Sequence, residues 1–534
     1  MREWFKNVFG GHRNLWARNF FLALQRGNQS VLPPLTRGGR GGEAVWTWLP
    51  LLALPLLLSG CWSVGPNFHA PTFEAPPDWP QLETERPVTT AEPGPELAVW
   101  WLNFNDPKLN ELVSTALAEN LGVKEAEDEI LEARANKGIA ASAFWPQINY
   151  SAQGQRARSV IGEANNGTVL ASTANFFQHG FDAAWELDFF GGTRRAVEAA
   201  DANIDAAVEN KRNVLVTLAA EVGTDYATYC SLREQLKITQ ENVDAQKKTL
   251  ALTEKQFKGG MLTMLDVSNA RAQVATTSAQ LPVLETSLRQ TCYALAVLLG
   301  REPAALDEEL KIAAAVPPAP PLIPSGLPST LLRRRPDVRN AEALAHAATA
   351  QIGVAESAWF PTFSLTGLSG LEGTKSGSLV AWANRFWNWG PSVQWQGYEG
   401  GRIVSNIQLQ KALFDQSLLT YRQTVLNALQ DVDNALVAYA EEKKHYAFLA
   451  DAVAANHKAV ELSLKLYTEG QTDFLNVLTA QLSLYNTEEA LAQSRLALTN
   501  DVIALYKALG GGWSTEDPPP GSFVDPKQAG CDKK

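Results

Sequence analysis

Few residues in this 534-residue chain have the types and spacing that chemistry needs. Six histidines (His12, His69, His179, His346, His445 and His457) are scattered, with no pair at metal-ligand spacing. Four cysteines, Cys61, Cys230, Cys292 and Cys531, form no CxxC and no dense disulfide framework, which argues against zinc sites and disulfide scaffolds. Walker-type phosphate loops, GxSxG and HExxH are all missing, so the sequence predicts no enzyme. One cysteine is placed for a different chemistry. Residues 45–60, VWTWLPLLALPLLLSG, follow Arg37 and Arg40 and end in Leu58, Ser59 and Gly60 just before Cys61. A basic region, an apolar run and small cleavage residues are the layout of a secretory signal. The run is broken by Pro50 and Pro55, and it falls short of the roughly 20 apolar residues that a spanning helix needs. The Leu-Ser-Gly-Cys step resembles a lipobox, in which Cys61 would take a covalent lipid and become the first mature residue. Residues 1–60 are therefore expected to be a signal peptide. Its first forty residues fit no signal, so the true start is expected downstream, with Val31 the candidate. Trp62, not Asp, follows the cysteine, so the expected destination is the outer membrane, with a lipid anchor.

The elements that must follow that anchor are legible in composition and repeats. A net charge of −11 and 19% charged residues give no basic field for nucleic acid, and a 45% hydrophobic content excludes a disordered chain. Arg333, Arg334 and Arg335 read as a solvated helix start, with Pro336 at the first helical position and Asp337 at the positive dipole end. No proline falls between Pro146 and Pro282 or between Pro391 and Pro518. Proline breaks helix interiors, so both tracts are expected to hold long helices. The tracts match each other without a gap at an offset of 210: FKGGMLTMLDVSNARAQV from Phe257 pairs with YTEGQTDFLNVLTAQLSL from Tyr467. The same offset pairs Asp205 with Asp415, Arg212 with Arg422, and Leu299 and Gly300 with Leu509 and Gly510. The chain is one large unit used twice.

Within a unit, Leu215, Leu218, Val222, Tyr226, Tyr229, Leu232 and Leu236 recur in steps of three and four, the spacing of a coiled coil. A helix over residues 193–257 would be roughly 100 Å long, wider than any globular core. Gly259, Gly260 and Gly470 then mark the turns at its far end. Short strands are expected at the near end. Phe181, Ala183, Trp185, Leu187 and Phe189 alternate with three acids and an alanine, as in a barrel strand with lipid outside and water inside. Ile148, Tyr150 and Ala152 alternate likewise, as do Phe363 with Leu365 and Val393 with Trp395. Trp145, Trp359, Phe360, Trp387 and Trp389 are expected near the strand ends as an interface girdle. Four strands cannot close a barrel, and lipid does not tolerate open edges. Oligomerisation is required. Cys230 and Cys292 lie in helical tracts and read as packing residues.

These residues resemble the TolC-like outer-membrane efflux proteins, in particular their NodT-type lipoprotein branch. The resemblance rests on five motifs in order: CWSVGPN from Cys61, WELDFFG from Trp185, LPSTLLRRRPD from Leu327, Phe360 with Pro361, and LYKALGGGW from Leu505. It implies an α+β fold, a homotrimer that shares one twelve-stranded transmembrane barrel above a periplasmic α-helical barrel, and partnership with a periplasmic adaptor and an inner-membrane transporter. The implied function is the exit duct of a tripartite efflux pump for small toxic compounds, without a catalytic cofactor; a duct for protein secretion or metal export, or a periplasmic coiled-coil adaptor, are the alternatives. The expected organisation is a lipidated extended segment at 61–106, repeats at 107–302 and 336–513, a Pro-rich connector at 303–335 and a disordered tail at 514–534. The duct would close at its helix tips, around Gly260 and Gly470. There Leu265 and Leu475 would form an apolar constriction, which gates by dewetting, and Asp266 a ring of carboxylates. Its mate is Asn476, where relatives usually carry Asp, and Thr479 and Leu482 stand where some relatives carry an Asp and an Arg, so no salt-bridge lock is expected.

Overall fold

The duplication is one of elements, not only of sequence. The computed structural model describes residues 63–73, 88–89, 95–163, 169–312, 315–318, 320, 323–324 and 333–514. The signal region 1–60, Cys61 and residues 515–534 with Cys531 lie outside the described residues. The first repeat runs α1 (Pro107–Glu119), α2 (Leu121–Ser142), β1 (Gln147–Glu163), β2 (Val169–Leu187), α3 (Gly192–Lys258), α4 (Met264–Ser278) and α5 (Gln280–Leu298). The second runs α6 (Pro336–Ser357), β3 (Thr362–Gly373), β4 (Arg385–Gln394), α7 (Arg402–Thr468) and α8 (Phe474–Ala508). Helices α2 and α6 have 22 residues each, and α3 and α7 have 67 each, about 100 Å at 1.5 Å per residue. At the returning helix the repeats differ, and a proline is the reason. Pro282 has no N–H for the Ser278 carbonyl and its ring crowds it, so the helix breaks at Ala279 into α4 and α5. At the 210 offset stands Ala492, and α8 runs through.

Both long helices end in the same way. Gly260 and Gly470 have φ of +77° and +72°, and each donates its N–H three residues back, to Phe257 and Tyr467. Met261 and Gln471 then donate five residues back, to Gln256 and Leu466. This is the Schellman turn, in which a left-handed residue satisfies carbonyls the helix would leave bare.

The four strands form one antiparallel sheet in the order β1-β2-β3-β4, with register Tyr150 to Phe181, Phe181 to Ser369 and Ser369 to Trp387. Hairpins β1–β2 and β3–β4 come from different repeats and join along β2 and β3. Beside the far ends of α1 and α5 lies the main core. Trp100 stacks on Tyr506 at 5.2 Å, among Phe104, Leu112, Tyr226, Leu295, Val425, Val432 and Val502. Asp106 ties this core to the first repeat. One carboxylate oxygen accepts from the N–H groups of Lys108 and Leu109 and the other from the Tyr226 hydroxyl at 3.0 Å. Cys230 and Cys292 are free and buried, and burial pushes their thiols up, to about 12 and about 11.

Several expectations need correction. The 61–106 segment is not extended throughout, because Pro95–Phe104 coils into two short 3-10 turns kinked at Val99, whose Leu97, Trp100 and Phe104 fill the core. Part of the 303–335 connector is likewise helical and buried through Leu306 and Leu310. Strand β2 ends at Leu187, not Phe189, since the Asp188 carboxylate turns to accept from the Arg194 N–H and Nε at the start of α3. Trp387 and Trp389 lie inside β4, two and four residues from its start. Arg335 is no solvated residue: its guanidinium grips Asp337, Asp431 and the Ala508 carbonyl, binding α6 to α7 and α8.

Candidate functional site

Strand pleating puts directly opposed residues on one face, so the register assigns every strand residue to a side. One side carries Ile148, Tyr150, Phe181, Trp185, Leu365, Trp387, Trp389 and Val393. Most of these are exposed, Trp389 to 71%. The other carries Asn149, Ser151, Gln153, Asp182, Glu186, Ser364, Thr366, Asn388 and Ser392, with Phe176, Leu368 and Phe386 as apolar exceptions. Asn149 donates to Asp182 at 3.0 Å and Gln153 to Gln178 at 2.8 Å across that polar face. An exposed apolar face opposite a hydrated polar one is the reverse of a soluble sheet and fits a wall between lipid and water. Where strands meet helices, Trp145, Trp359 and Trp395 gather as an aromatic belt, and the indole N–H of Trp395 donates to the Trp359 carbonyl at 3.2 Å. Among the described residues, edges β1 and β4 have no partner strand in the protomer, which hydrocarbon does not allow.

A second site, unforeseen from the sequence, lies beside that junction. Arg195, buried at the top of α3, donates to the Val64 and Gly65 carbonyls at 3.1 and 3.3 Å and to Asn67 Oδ1 at 2.8 Å. Val64 in turn donates its N–H to the Phe190 carbonyl at 3.0 Å. Gly65, at φ +95°, lies so close to Gly353 of α6 that a Cβ on it would sit 2.4 Å from the Gly353 Cα. Phe68 stacks on His346 at 4.5 Å. The chain emerging from Cys61 is thus strapped across α3 and α6 two residues later, where helices meet strands. The glycines of the CWSVGPN motif and of α6 were visible in the sequence, but their mutual contact was not.

At the opposite end, the two repeats pack their tips together: Ala270 of α4 lies against Tyr467, Phe474 and Val477. Leu265 and Leu475 stay outside this cluster, 67% and 64% exposed. Gly260 and Gly470 form the turns, with nothing within 4 Å of an added Cβ. Asp266 is engaged in a capping box: its carboxylate accepts from the Thr263 N–H at 3.0 Å and hydroxyl at 2.7 Å. Asn476, its mate, donates to the Thr472 hydroxyl at 2.7 Å. Between tips and core, α3 meets α8 along a polar seam: Glu234 with Arg495, Thr239 with Tyr485, Asn242 with Glu488 and Thr249 with Gln481.

A lipid-type sheet with open edges, carried on paired 100 Å helices with apolar tips, defines a self-assembling membrane channel of the barrel-and-duct class. The family model of the outer membrane efflux protein matches residues 112–301 and again 327–511, one copy per repeat. The chain is 30% identical over 460 residues to Nodulation protein T of Rhizobium leguminosarum bv. trifolii, covering 86% of this chain and 96% of that one. It is 30% identical over 471 residues to the toluene efflux pump outer membrane protein TtgC of Pseudomonas putida, covering 87% and 95%. Among solved structures, the outer-membrane channel OprN superposes with a TM-score of 0.77 at 32% identity, over 84% of this chain and 99% of that one. The chain belongs to the outer membrane efflux protein family. It is an outer-membrane efflux channel protein of the TolC-like fold, not an enzyme.

Proposed function

We propose that three copies of this chain close their sheets into one twelve-stranded barrel, β4 of each against β1 of the next, and form the exit duct of a tripartite pump. The observation that carries this reading is the sheet with an apolar face and two open edges. Four strands per copy is an even number, so the closing pair is antiparallel like the rest, and three copies pass the eight-strand minimum for a filled barrel. The α-helices then line a periplasmic conduit whose adaptor and inner-membrane transporter supply selection and energy. Small toxic compounds are the cargo this reading favours, since the relatives are named for toluene and antibiotic efflux. Cys61 carries the lipid. The strap at residues 64–67 supports this, because it holds the chain that follows the lipobox at the helix–strand junction, beside the barrel. Leu265 and Leu475 supply six apolar side chains to the closed tip, with Gly260 and Gly470 as its turns and Asp266 and Asn476 as caps that keep the turns rigid.

The test is heat modifiability in isolated outer membranes, with globomycin-treated cells as the lipidation control. The expected result is a trimer in unheated detergent gels that collapses to a monomer on boiling, with precursor accumulating under the drug. A monomer unaffected by heating would overturn the barrel, and unchanged processing under the drug would overturn the lipid anchor alone.

A further inference from the structure

The apolar face of the sheet does not stay apolar to its top. Leu187 and Phe177 bound a stretch of that face on β2 ten residue steps long, about 33 Å along a strand and roughly 25 Å of height at a barrel's usual tilt. Beyond it, toward the hairpin ends remote from the helices, the same face presents Arg156 and Arg158 on β1, and Arg385 stands at its upper margin on β4, level with Ala152 and His179. From Ile148 to Val160 on β1 and along its register partners, this face carries no carboxylate. Asp182, Glu186 and Glu372 all stand on the other side. Charge is therefore sorted by face: cations outward, anions inward.

At the lower edge of this cationic zone the outward face holds a cavity of about 370 Å³, walled by Tyr150, Phe181, Trp382 and Trp387 with Arg385 beside it. Its shape is fixed. His179 donates from Nε2 to the Leu379 carbonyl at 3.0 Å and accepts the Tyr150 hydroxyl at 3.3 Å. That draws Ser376–Val380 over the sheet. Arg385 lies over the Trp382 ring at 5.2 Å and donates to the Trp382 carbonyl at 3.2 Å. It pairs with no carboxylate among the described residues. A guanidinium held by an aromatic face and one carbonyl keeps donors for a phosphate, the group whose geometry it matches.

We propose that this cavity is a lipid site for the phosphorylated glycolipid of the outer leaflet. Its sugar phosphate is held by Arg385, the first methylenes of an acyl chain lie against Tyr150, Phe181 and Trp387, and Arg156 and Arg158 contact the phosphates above. The inference rests on the membrane-barrel reading, and it predicts that the protein prefers one lipid class. The probes are a bisphosphorylated lipid A, its dephosphorylated form and phosphatidylethanolamine, titrated in detergent against the full-length trimer and read by native mass spectrometry. Wild type should hold the bisphosphorylated lipid most tightly. Arg385→Gln should weaken it about fivefold, and Arg156→Gln with Arg158→Gln should weaken it further by a similar factor each. Binding of the dephosphorylated lipid should not change. Each variant is first checked for the heat-labile trimer. Loss of that trimer in wild type overturns the barrel reading beneath the proposal. An intact trimer that binds all three lipids equally, or an Arg385→Gln trimer with undiminished preference, overturns the lipid site alone.

Discussion

Gly353→Ala sets two effects of opposite sign against each other. Gly353 sits inside α6, where alanine by itself gains about 1 kcal/mol of helix propensity. The added Cβ, however, meets the Val64 carbonyl oxygen at 2.8 Å and the Arg195 Cγ and Cδ at 2.8 and 3.0 Å. Arg195 is 3% exposed and has no room to yield, so residues 64–65 must lift away. That breaks three hydrogen bonds from its guanidinium, at 3.1, 3.3 and 2.8 Å. Bonds to a charged group contribute about 1.5–3 kcal/mol each when the partners stay dry. Water replaces part of this at the freed carbonyls, so a total near 3 kcal/mol is the working figure. Subtracting the helix gain leaves a net cost of about 2 kcal/mol, or roughly thirtyfold in the opening equilibrium of the strap. The reporter is the Val64 amide, bonded to the Phe190 carbonyl at 3.0 Å. Under native conditions its hydrogen exchange tracks that equilibrium, and it should quicken about thirtyfold in the variant while the trimer survives. A variant whose Val64 amide stays protected and whose melting temperature rises would show that helix propensity wins and that the strap is not held as described.

Gly470→Ala should cost about 1–2 kcal/mol through the left-handed backbone alone, since an added Cβ meets nothing. Thermal melts should show the loss, with Gly470→Asn milder. Leu265→Ser combined with Leu475→Ser should raise the resting conductance of the reconstituted trimer without altering its heat stability; unchanged conductance would remove both leucines from the constriction. Asp501 has its carboxyl pushed up to about 6 by burial, with Glu442 adding repulsion. A raised carboxyl pKa means the fold binds the proton more tightly than the unfolded chain, so stability is lost as pH climbs from about 4 to about 6. Asp501→Asn should therefore match wild type near pH 4 and exceed it above pH 6 by about 1 kcal/mol, after discounting for solvent screening. Melting curves at both pH values decide it.

What the sequence reveals here divides by the range of the interactions. Helix lengths follow from proline spacing and the 210-residue offset, both local in kind, and the strand faces follow from a period of two. The ends and pairings do not. Whether WELDF continues as strand through Phe189 depends on Asp188 finding Arg194, a choice that alternation alone does not register. Arg335 resembles any basic residue before a helix until Asp431, ninety-six positions away, is folded against it. The strap is the clearest case. Gly65 and Gly353 need each other's missing side chains, and nothing in either neighbourhood says so. At the tip, the repeat pattern alone assigns Asp266 to a ring of carboxylates. Its place three residues after Thr263 is also the spacing of a capping box, and in the protomer the local partner takes the carboxylate.

The distribution of polarity along α3 bears on where a closed duct would open. From residue 216 to 230, α3 buries Val216, Leu218, Ala219, Val222, Tyr226 and Cys230 against the core. From residue 231 onward the buried positions become Ser231, Gln235, Thr239, Gln246, Thr249 and Thr253, with Val243 the one aliphatic among them. An apolar interface loses free energy with every Å² exposed. A hydrogen-bonded seam can exchange its partners for water at a net cost near 1 kcal/mol per bond. Between the core and the apolar tip cluster, α3 is thus joined to α8 by contacts that separate cheaply, while the stretch beside the core is not. Gln246 sharpens the contrast: it is 4% exposed, and neither of its amide atoms has a hydrogen-bond partner among the described residues. Such a group costs free energy in the arrangement that buries it, and any parting of α3 from α8 that admits water relieves it. For the tip closure proposed above, the seam predicts a hinge at the border between Cys230 and Gln235.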